Sequence, residues 1–444
     1  MFSLPMFVGQ LLQALYNTVD SIWVGRFMGP GALGAVSISF PLIMALLSLV
    51  MGLTMATTTL VAQYRGAGEE RMVRRTVSTS LVLLGLLGTA LSIIGVVFRY
   101  PLLSLVQAPP EIRAQSAAYF GIFMAGLLGM FLYNVLSAIL RGLGDSKTPL
   151  KFLFIATVVN ILLDPVLILG LGPIPRMGVG GAALATILSQ GLSSYLLYRW
   201  VRKHTDLMPA TREDWRPDMH LLKLIIRIGL PTGVQQVLIS FGMVVVTSMI
   251  NSYGAEVVAA YGAASRLDQF GWMPAMSIGG AVSAVVGQNL GADRIDRVRA
   301  AVRWSCILAT GLTAMVTVVA VLNPRILMVL FTDDAGVLAI GSEYLRIMGW
   351  AYIPFALIMI LGGIMRGAGD TIPTMIMSLV GLWGVRVPLC AYLSRTMGTN
   401  GIWLGIALSA CFGTVLHWAY FATGRWMKAR VTHRAPAAVA EASD

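Results

Sequence analysis

The sequence predicts an all-α integral membrane protein with twelve transmembrane helices in two parallel-related six-helix bundles. Three observations carry this. Hydrophobic residues make up 57% of the 444 positions and charged residues only 12%, about half the charged share of soluble domains, so lipid must solvate much of the surface. Twelve apolar stretches of about 20 residues or more are each long enough to cross a hydrocarbon core. Finally, the second half repeats the first. Arg141-Gly142-Leu143-Gly144-Asp145 returns 225 residues later as Arg366-Gly367-Ala368-Gly369-Asp370, and Gln63-Tyr64-Arg65-Gly66-Ala67 returns at the same offset as Gln288-Asn289-Leu290-Gly291-Ala292. Leu4-Pro5 recurs as Leu230-Pro231, shifted by 226, and Met177-Gly178…Gly181 as Met397-Gly398…Gly401, shifted by 220. Four landmarks in unbroken register mark one duplicated and fused unit. In so apolar a chain, a repeat of this size indicates a transporter built from two bundles.

In order, the spans are expected near 4–25, 34–61, 76–98, 115–140, 150–170 and 179–200, then 226–250, 259–287, 300–322, 340–365, 373–393 and 401–424. Pro41, Pro165, Pro274, Pro354 and Pro388 fall inside them, which membrane helices tolerate because neighbours re-satisfy the freed backbone groups. The first bundle takes 1–205 and the second 223–430. A polar linker at 206–222, with Pro209 and Pro217, lies between them, and an aperiodic, Ala-rich tail at 431–444 is expected to be disordered. Six spans per repeat is an even number, so both copies insert in the same sense, related by a pseudo-twofold axis along the membrane normal. The start, Met1-Phe2-Ser3-Leu4-Pro5, lacks the basic segment of a cleavable signal. The basic lead-in of the second repeat, His220 to Arg227, has no counterpart in the first. Either that segment was lost or the numbered start lies downstream of the original one.

Basic residues set the orientation. With the N-terminus inside, the inner segments hold 23 of them, among them Arg71, Arg74, Arg75, Arg202, Lys203, Arg294, Arg297 and Arg299; the outer segments hold seven. That bias places both termini in the cytoplasm of a multi-pass inner-membrane protein. It also explains the net charge of +12 without nucleic acid. Cys306, Cys390 and Cys411 lie in apolar stretches as small hydrophobes, with no disulfide or metal pattern. The four histidines lack ligand spacing, so no cofactor or metal is expected. His417 alone falls within a span, which leaves little for membrane-embedded enzyme chemistry.

Charges inside spans are costly and each asks for a reason. Asp20, Asp164, Asp268, Arg266 and Arg386 are such residues. Arg266 and Asp268 are two apart on one helix and do not face each other. Each needs a partner elsewhere or a water-filled cavity, as a structural lock or as a substrate or gating group. Arg386, near an outer helix end, is expected to snorkel or bond a loop. Asp20 lies six residues before Arg26, and Asp164 six before Gly170, so both carboxylates sit about 9 Å below the outer boundary. Tyr119 and Thr186 come to similar depth from the fourth and sixth spans, and Asn160 shares the face of Asp164 at i−4. Two carboxylates in a low-dielectric site cannot both stay ionised cheaply, so the group reads as a proton site. The alternative is a hydrogen-bonded cluster that holds the bundle together. The repeat register puts Val246 opposite Asp20 and Val387 near Asp164, and this asymmetry favours function.

These residues bring the chain close to a known family. Leu4-Pro5 followed by Gln10…Tyr16-Asn17…Asp20…Gly25-Arg26, the Gln63…Gly66-Ala67 segment, both Arg-Gly-x-Gly-Asp segments and Asn160-Ile161-Leu162-Leu163-Asp164-Pro165 together resemble the multidrug and toxic compound extrusion (MATE) family, over residues 4 to 425. The helix-5 motif is similar to that of its DNA-damage-inducible protein F branch. The resemblance implies a V of two six-helix lobes with a central cavity open alternately to each side. It also implies export of amphipathic organic cations driven by H⁺ or Na⁺. Asp20, Asn160 and Asp164 match the family's coupling positions, and Tyr119 and Thr186 match by depth and spacing. Gln13 and Tyr16 match positions lining the drug pocket, and Asn17, Tyr133 and Asn134 are grouped with them as candidate substrate contacts. A second bacterial branch carries acids on helices 7 and 10. Here helix 7 has Gln235-Gln236 and the neighbourhood of Pro354-Phe355 is apolar, which argues against a second-lobe Na⁺ site. Arg266, Asp268 and Gln235 remain the polar candidates there. Of the 25 methionines, Met6, Met124, Met130, Met243, Met273, Met276, Met359 and Met365 could give a cavity a soft, adaptable surface, although most of these will face lipid or core.

The expected function is secondary-active efflux of cationic or amphipathic organic compounds in exchange for H⁺, by a monomer in contact with membrane lipid. The alternatives are Na⁺ coupling or a lipid-linked saccharide flippase of the same wider superfamily. The flippase would need a strongly basic cavity, for which only Arg266 and Arg386 are available.

Overall fold

A computed structural model describes residues 2–107, 109–170, 172–173, 175–209, 211 and 213–432. Nearly all of the expected tail lies outside them. The helices are α1 (Ser3–Met28), α2 (Pro30–Ala67), α3 (Glu70–Val97), α4 (Arg99–Leu105), α5 (Pro110–Ala125), α6 (Leu127–Gly142), α7 (Lys147–Leu169) and α8 (Val179–His204). The second repeat supplies α9 (Met219–Asn251), α10 (Ala255–Gly291), α11 (Ile295–Leu322), α12 (Pro324–Val329), α13 (Ala335–Ala368), α14 (Thr371–Leu379), α15 (Val387–Met397) and α16 (Thr399–Ala422). Among the described residues nine helical segments are long and apolar enough to cross a membrane, and α5 with α6 makes a tenth. With α1 and α8, of 26 residues each, the count reaches the expected twelve. The short α4 and α12 occupy the same place in each repeat, immediately after α3 and α11.

Two spans depart from the expected continuous helices. The fourth, expected unbroken over 115–140, bends by 46° between α5 and α6. Gly126 sits at the bend, and a Cβ there would collide with the Ile187 side chain of α8. Glycine at this position therefore lets α8 approach where a side chain would block it. In the eleventh span, α14 and α15 are joined by a π-helical segment, Val380–Arg386. Pro388 has no N–H to donate to Gly384, and Val387 instead donates to the carbonyl of Leu382, five residues back. Such a widened turn is how a helix absorbs a missing donor without breaking.

The chain divides into two compact units. Unit 1 contains 1–61 and 71–233; unit 2 contains 62–70 and 234–444. Within unit 1, α1, α7 and α8 pack together, with α5 and α6 against α8. Gly52 lets α2 approach the backbone of Gly229 and Gly233. Within unit 2, α10, α11 and α16 pack around α13. The core of unit 2 includes Tyr344, Tyr352 and Trp403, each almost fully buried.

Candidate functional site

In unit 1, α7 supplies a buried acid with an amide one turn away. Asn160 and Asp164 are both fully buried, and the Asn160 Nδ2 donates to Asp164 Oδ1 at 3.2 Å. Pro165 follows immediately and lies inside α7, so the carbonyl of Ile161 loses its helical donor beside the acid. On α1, Tyr16 and Asp20 share a face at i, i+4. Tyr16 is buried, and its hydroxyl lies 3.4 Å from Ser189 Oγ on α8. Ser189 donates its own proton to the Thr186 carbonyl at 2.9 Å, so Tyr16 is the donor. Thr186 is also within hydrogen-bonding reach of Tyr16. Tyr119, buried on α5, interacts electrostatically with Asp20, Tyr16 and Asp164. Asp20 and Asp164 sense each other's charge.

Four helices thus bring Tyr16, Asp20, Tyr119, Asn160, Asp164 and Thr186 into one polar group. Asp20 Oδ1, Asp164 Oδ2 and Asn160 Oδ1 are buried and have no protein hydrogen-bond partner. Among the described residues no basic side chain forms an ion pair with either acid. A low-dielectric site with two acids, neutral donors and spare acceptor capacity can take up and release a proton, or hold a small cation. Ser189 was not anticipated by the sequence reading. Its signal is its place on the Thr186 face of α8, three residues on.

Two of the other candidates make their hydrogen bonds outside this group. The Tyr133 hydroxyl donates to the Pro149 carbonyl at 3.0 Å, and Asn134 donates to the Met130 carbonyl one turn back at 2.8 Å. Gln13 is half-buried and Asn17 exposed on α1.

In unit 2, Asp268 is the centre of a closed cluster. Its Oδ2 accepts from the Tyr344 hydroxyl and its Oδ1 from the Tyr352 hydroxyl at 2.6 Å, both from α13. Tyr344 meets Trp403 edge-on at 4.8 Å, and Trp403 stacks on Tyr261 at 5.7 Å. The sequence reading missed both tyrosines bound to Asp268. Tyr344 was legible, because it stands 225 residues after Tyr119 and is its repeat counterpart. Gln235 is tied to α14, with its Nε2 donating to Ser378 Oγ at 2.6 Å. Arg266 lies on the exposed face of α10, so it takes no part in the Asp268 cluster.

Arg386 corrects an expectation. It neither snorkels nor bonds a loop. Its Nε donates to Ser409 Oγ on α16 at 2.9 Å, and its guanidinium carbon lies 5.1 Å from the centre of the Phe355 ring. The π-helical turn before Pro388 carries it to that position.

The MatE family pattern matches residues 5–166 and 231–392, one match in each repeat. The chain belongs to the MatE family. The probable multidrug resistance protein YpnP of Bacillus subtilis (strain 168) is 34% identical over 426 residues, which spans 96% of this chain and 94% of that protein. The FAD transporter of Shewanella oneidensis is 26% identical over 411 residues, covering 92% and 90%. Among solved structures, a MATE crystallised in the bent conformation superposes with a TM-score of 0.89 at 26% identity, over 97% of this chain and 96% of the other. The straight conformation gives 0.88 at 27% identity, over 96% of each. MatE proteins are multi-pass membrane transporters, and several relatives are named multidrug resistance proteins.

Proposed function

We propose that this MatE protein exports amphipathic organic cations from the cytoplasm in exchange for protons, by alternating access across an inner membrane. Both termini would be cytoplasmic, and residues 1–205 and 223–430 would act as two lobes joined by the 206–222 linker. The observation that carries this reading is Asp164 on α7. It is a fully buried carboxylate whose hydrogen-bond donor is the neutral Asn160, and Asp20 shares its site without any basic counter-ion.

In this mechanism a proton entering from outside settles on the Asp20/Asp164 pair and favours one arrangement of the first lobe. Loss of that proton to the cytoplasm leaves a negative site that competes for an organic cation. Asn160 and Tyr119 orient the acids. Tyr16, held to α8 through Ser189, links the site to the face of α1 that carries Gln13. Proton and substrate exclude one another because both neutralise the same carboxylates, and that exclusion is the coupling. The fully closed Asp268 cluster in unit 2 is read as a structural lock. The test is transport of a fluorescent organic cation by purified protein in proteoliposomes, with pH and Na⁺ gradients imposed separately. Transport that follows only the Na⁺ gradient would overturn the proton assignment.

A further inference from the structure

Unit 2 holds a cavity of about 440 Å³, within the size range of small-molecule sites. Its wall is aromatic and sulfur-rich, with Trp272, Phe355, Tyr352, Met243, Met276 and Met359 among the lining residues, and it contains no aspartate or glutamate. Arg386 is the one permanent charge on that wall. We propose that this cavity is a binding site for an amphipathic aromatic anion. The anion's carboxylate or sulfonate would lie on the Arg386 guanidinium and its rings against Trp272 and Phe355.

Three features support this. First, the guanidinium is oriented but not neutralised. Nε is spent on Ser409, and Ser409 is itself anchored by donating to the Ile406 carbonyl at 2.7 Å. The Phe355 ring fixes one face. Among the described residues the Nη1 and Nη2 groups form no ion pair and no further protein hydrogen bond. An arginine whose stem is fixed and whose paired terminal donors are unspent is preorganised for bidentate contact with a planar acid. Second, the acid that could have neutralised it is committed elsewhere. Asp268 accepts from Tyr344 and Tyr352 and does not line the cavity. A charged residue inside a membrane span is costly enough to need a partner, and here the protein supplies none.

Third, the repeat puts the site in the part of unit 2 that corresponds to the carboxylate region of unit 1. Pro165 and Pro388 correspond at an offset of 223, and Ser189 and Ser409 at 220. Both serines donate to the carbonyl three residues back. Beside the proline, unit 1 carries Asp164 and unit 2 carries Arg386-Val387. At the register position of Asp164 unit 2 has Val387, and its arginine stands one residue earlier, so the region that carries an acid in unit 1 carries a base in unit 2.

The site does not depend on the proton-coupled reading, because binding can be measured without a gradient. The probe is 2-naphthoate, with its neutral isostere 2-naphthamide as control, titrated into the purified full-length protein in detergent by calorimetry. The wild-type protein is expected to bind the acid roughly tenfold or more tightly than the amide, as a charge-assisted contact requires. Arg386→Met should abolish that preference while keeping amide binding, and Arg386→Lys should keep part of it. Arg266→Met, which removes an arginine on the exposed face of α10 that does not line the cavity, should leave both affinities unchanged. Equal affinity for acid and amide in the wild-type protein would overturn the proposal, and that comparison needs no folded variant. Preference for the acid that survives Arg386→Met, or is lost in Arg266→Met, would also overturn it by locating the acid elsewhere.

Discussion

Gly66 and Gly291, 225 residues apart in sequence, are packed reciprocally. A Cβ on Gly66 would collide with the carbonyl oxygen of Gln288, and a Cβ on Gly291 with that of Gln63. The two copies of the repeated Gln-x-x-Gly segment therefore meet each other, each glycine under the glutamine of the other. The Gln63 side chain extends the junction, donating to the Gly367 carbonyl at 3.0 Å and accepting from the Val431 amide at 2.7 Å. Gly367 in turn meets the backbone of Ser283, as its repeat mate Gly142 meets the backbone of Thr58. The motifs that reveal the duplication are thus positions where helix backbones touch, and no side chain larger than hydrogen fits.

Gly66→Ala and Gly291→Ala should each destabilise the protein by about 1–3 kcal/mol, the usual cost of forcing a methyl into a closed contact. Because the obstacle is backbone, no rotamer change relieves it. Gly85 and Gly311 serve as controls, since nothing lies within 4 Å of a Cβ at either. Their alanine variants should melt close to wild type, or slightly above it from helix propensity. Thermal unfolding in detergent, followed by retention as a monodisperse species, reads the difference.

Tyr344→Phe and Tyr352→Phe should each destabilise unit 2 by about 1–3 kcal/mol, because either change removes a donor from a buried carboxylate. The double variant should lose less than the sum if the two hydroxyls act as one network. Asp268→Asn keeps the shape but replaces one acceptor oxygen with an NH2 group that cannot accept from a tyrosine hydroxyl, and should cost about as much as losing one of the two bonds. If all three variants melt like the wild type, the cluster is not a lock and a transport role for Asp268 must be sought.

The fold was largely legible because its signals are long-range in sequence but simple in kind: apolar length, alternating basic loops and a repeated set of glycines. The Asn160–Asp164 pair was legible because both residues ride one helix at i, i+4. Tyr16 and Ser189 were harder, since their meeting depends on how α1 and α8 pack and no local pattern encodes it. Arg386 was misread for a specific reason. Counting residues from the outer end treats the helix as regular, whereas Pro388 widens the preceding turn and carries Arg386 against Ser409. Gly126 was passed over because glycine is common in apolar spans. Only the Ile187 side chain opposite it shows that no larger residue fits there.

Transport should proceed without Na⁺. Among the described residues of unit 2 the one buried acid, Asp268, has both oxygens occupied by tyrosine hydroxyls, which leaves little capacity to replace the hydration shell of Na⁺. Efflux from proteoliposomes under a pH gradient alone should match that with Na⁺ added. An accumulation that appears only with Na⁺ would place a cation at the unit 1 carboxylates instead, where the unpartnered oxygens of Asp20, Asp164 and Asn160 could serve as ligands.

Asp20→Asn should fold and fail to couple. Asp20 has a buried oxygen without a protein partner and no ion pair, so removing its charge breaks no bridge and relieves a carboxylate of its desolvation cost. Stability should therefore be unchanged or slightly higher. The amide cannot release a proton, so the exchange cycle stops at the form it imitates. One pH unit of gradient is worth about a tenfold concentration ratio per proton exchanged, or about 1.4 kcal/mol. Wild-type vesicles should approach that ratio, and Asp20→Asn vesicles should stay near one. Asp164→Asn should be strongly impaired as well, with a larger effect on stability, because Asp164 is fully buried and its Oδ1 accepts from Asn160. Asn160→Ala separates the roles. If Asn160 only orients Asp164, its loss should slow transport yet leave the limiting ratio intact, because a ratio set by stoichiometry does not depend on rate. A well-folded Asp20→Asn protein that still builds the wild-type ratio would show that the proton is carried elsewhere. A misfolded one would make the unit 1 cluster a structural element rather than the coupling site.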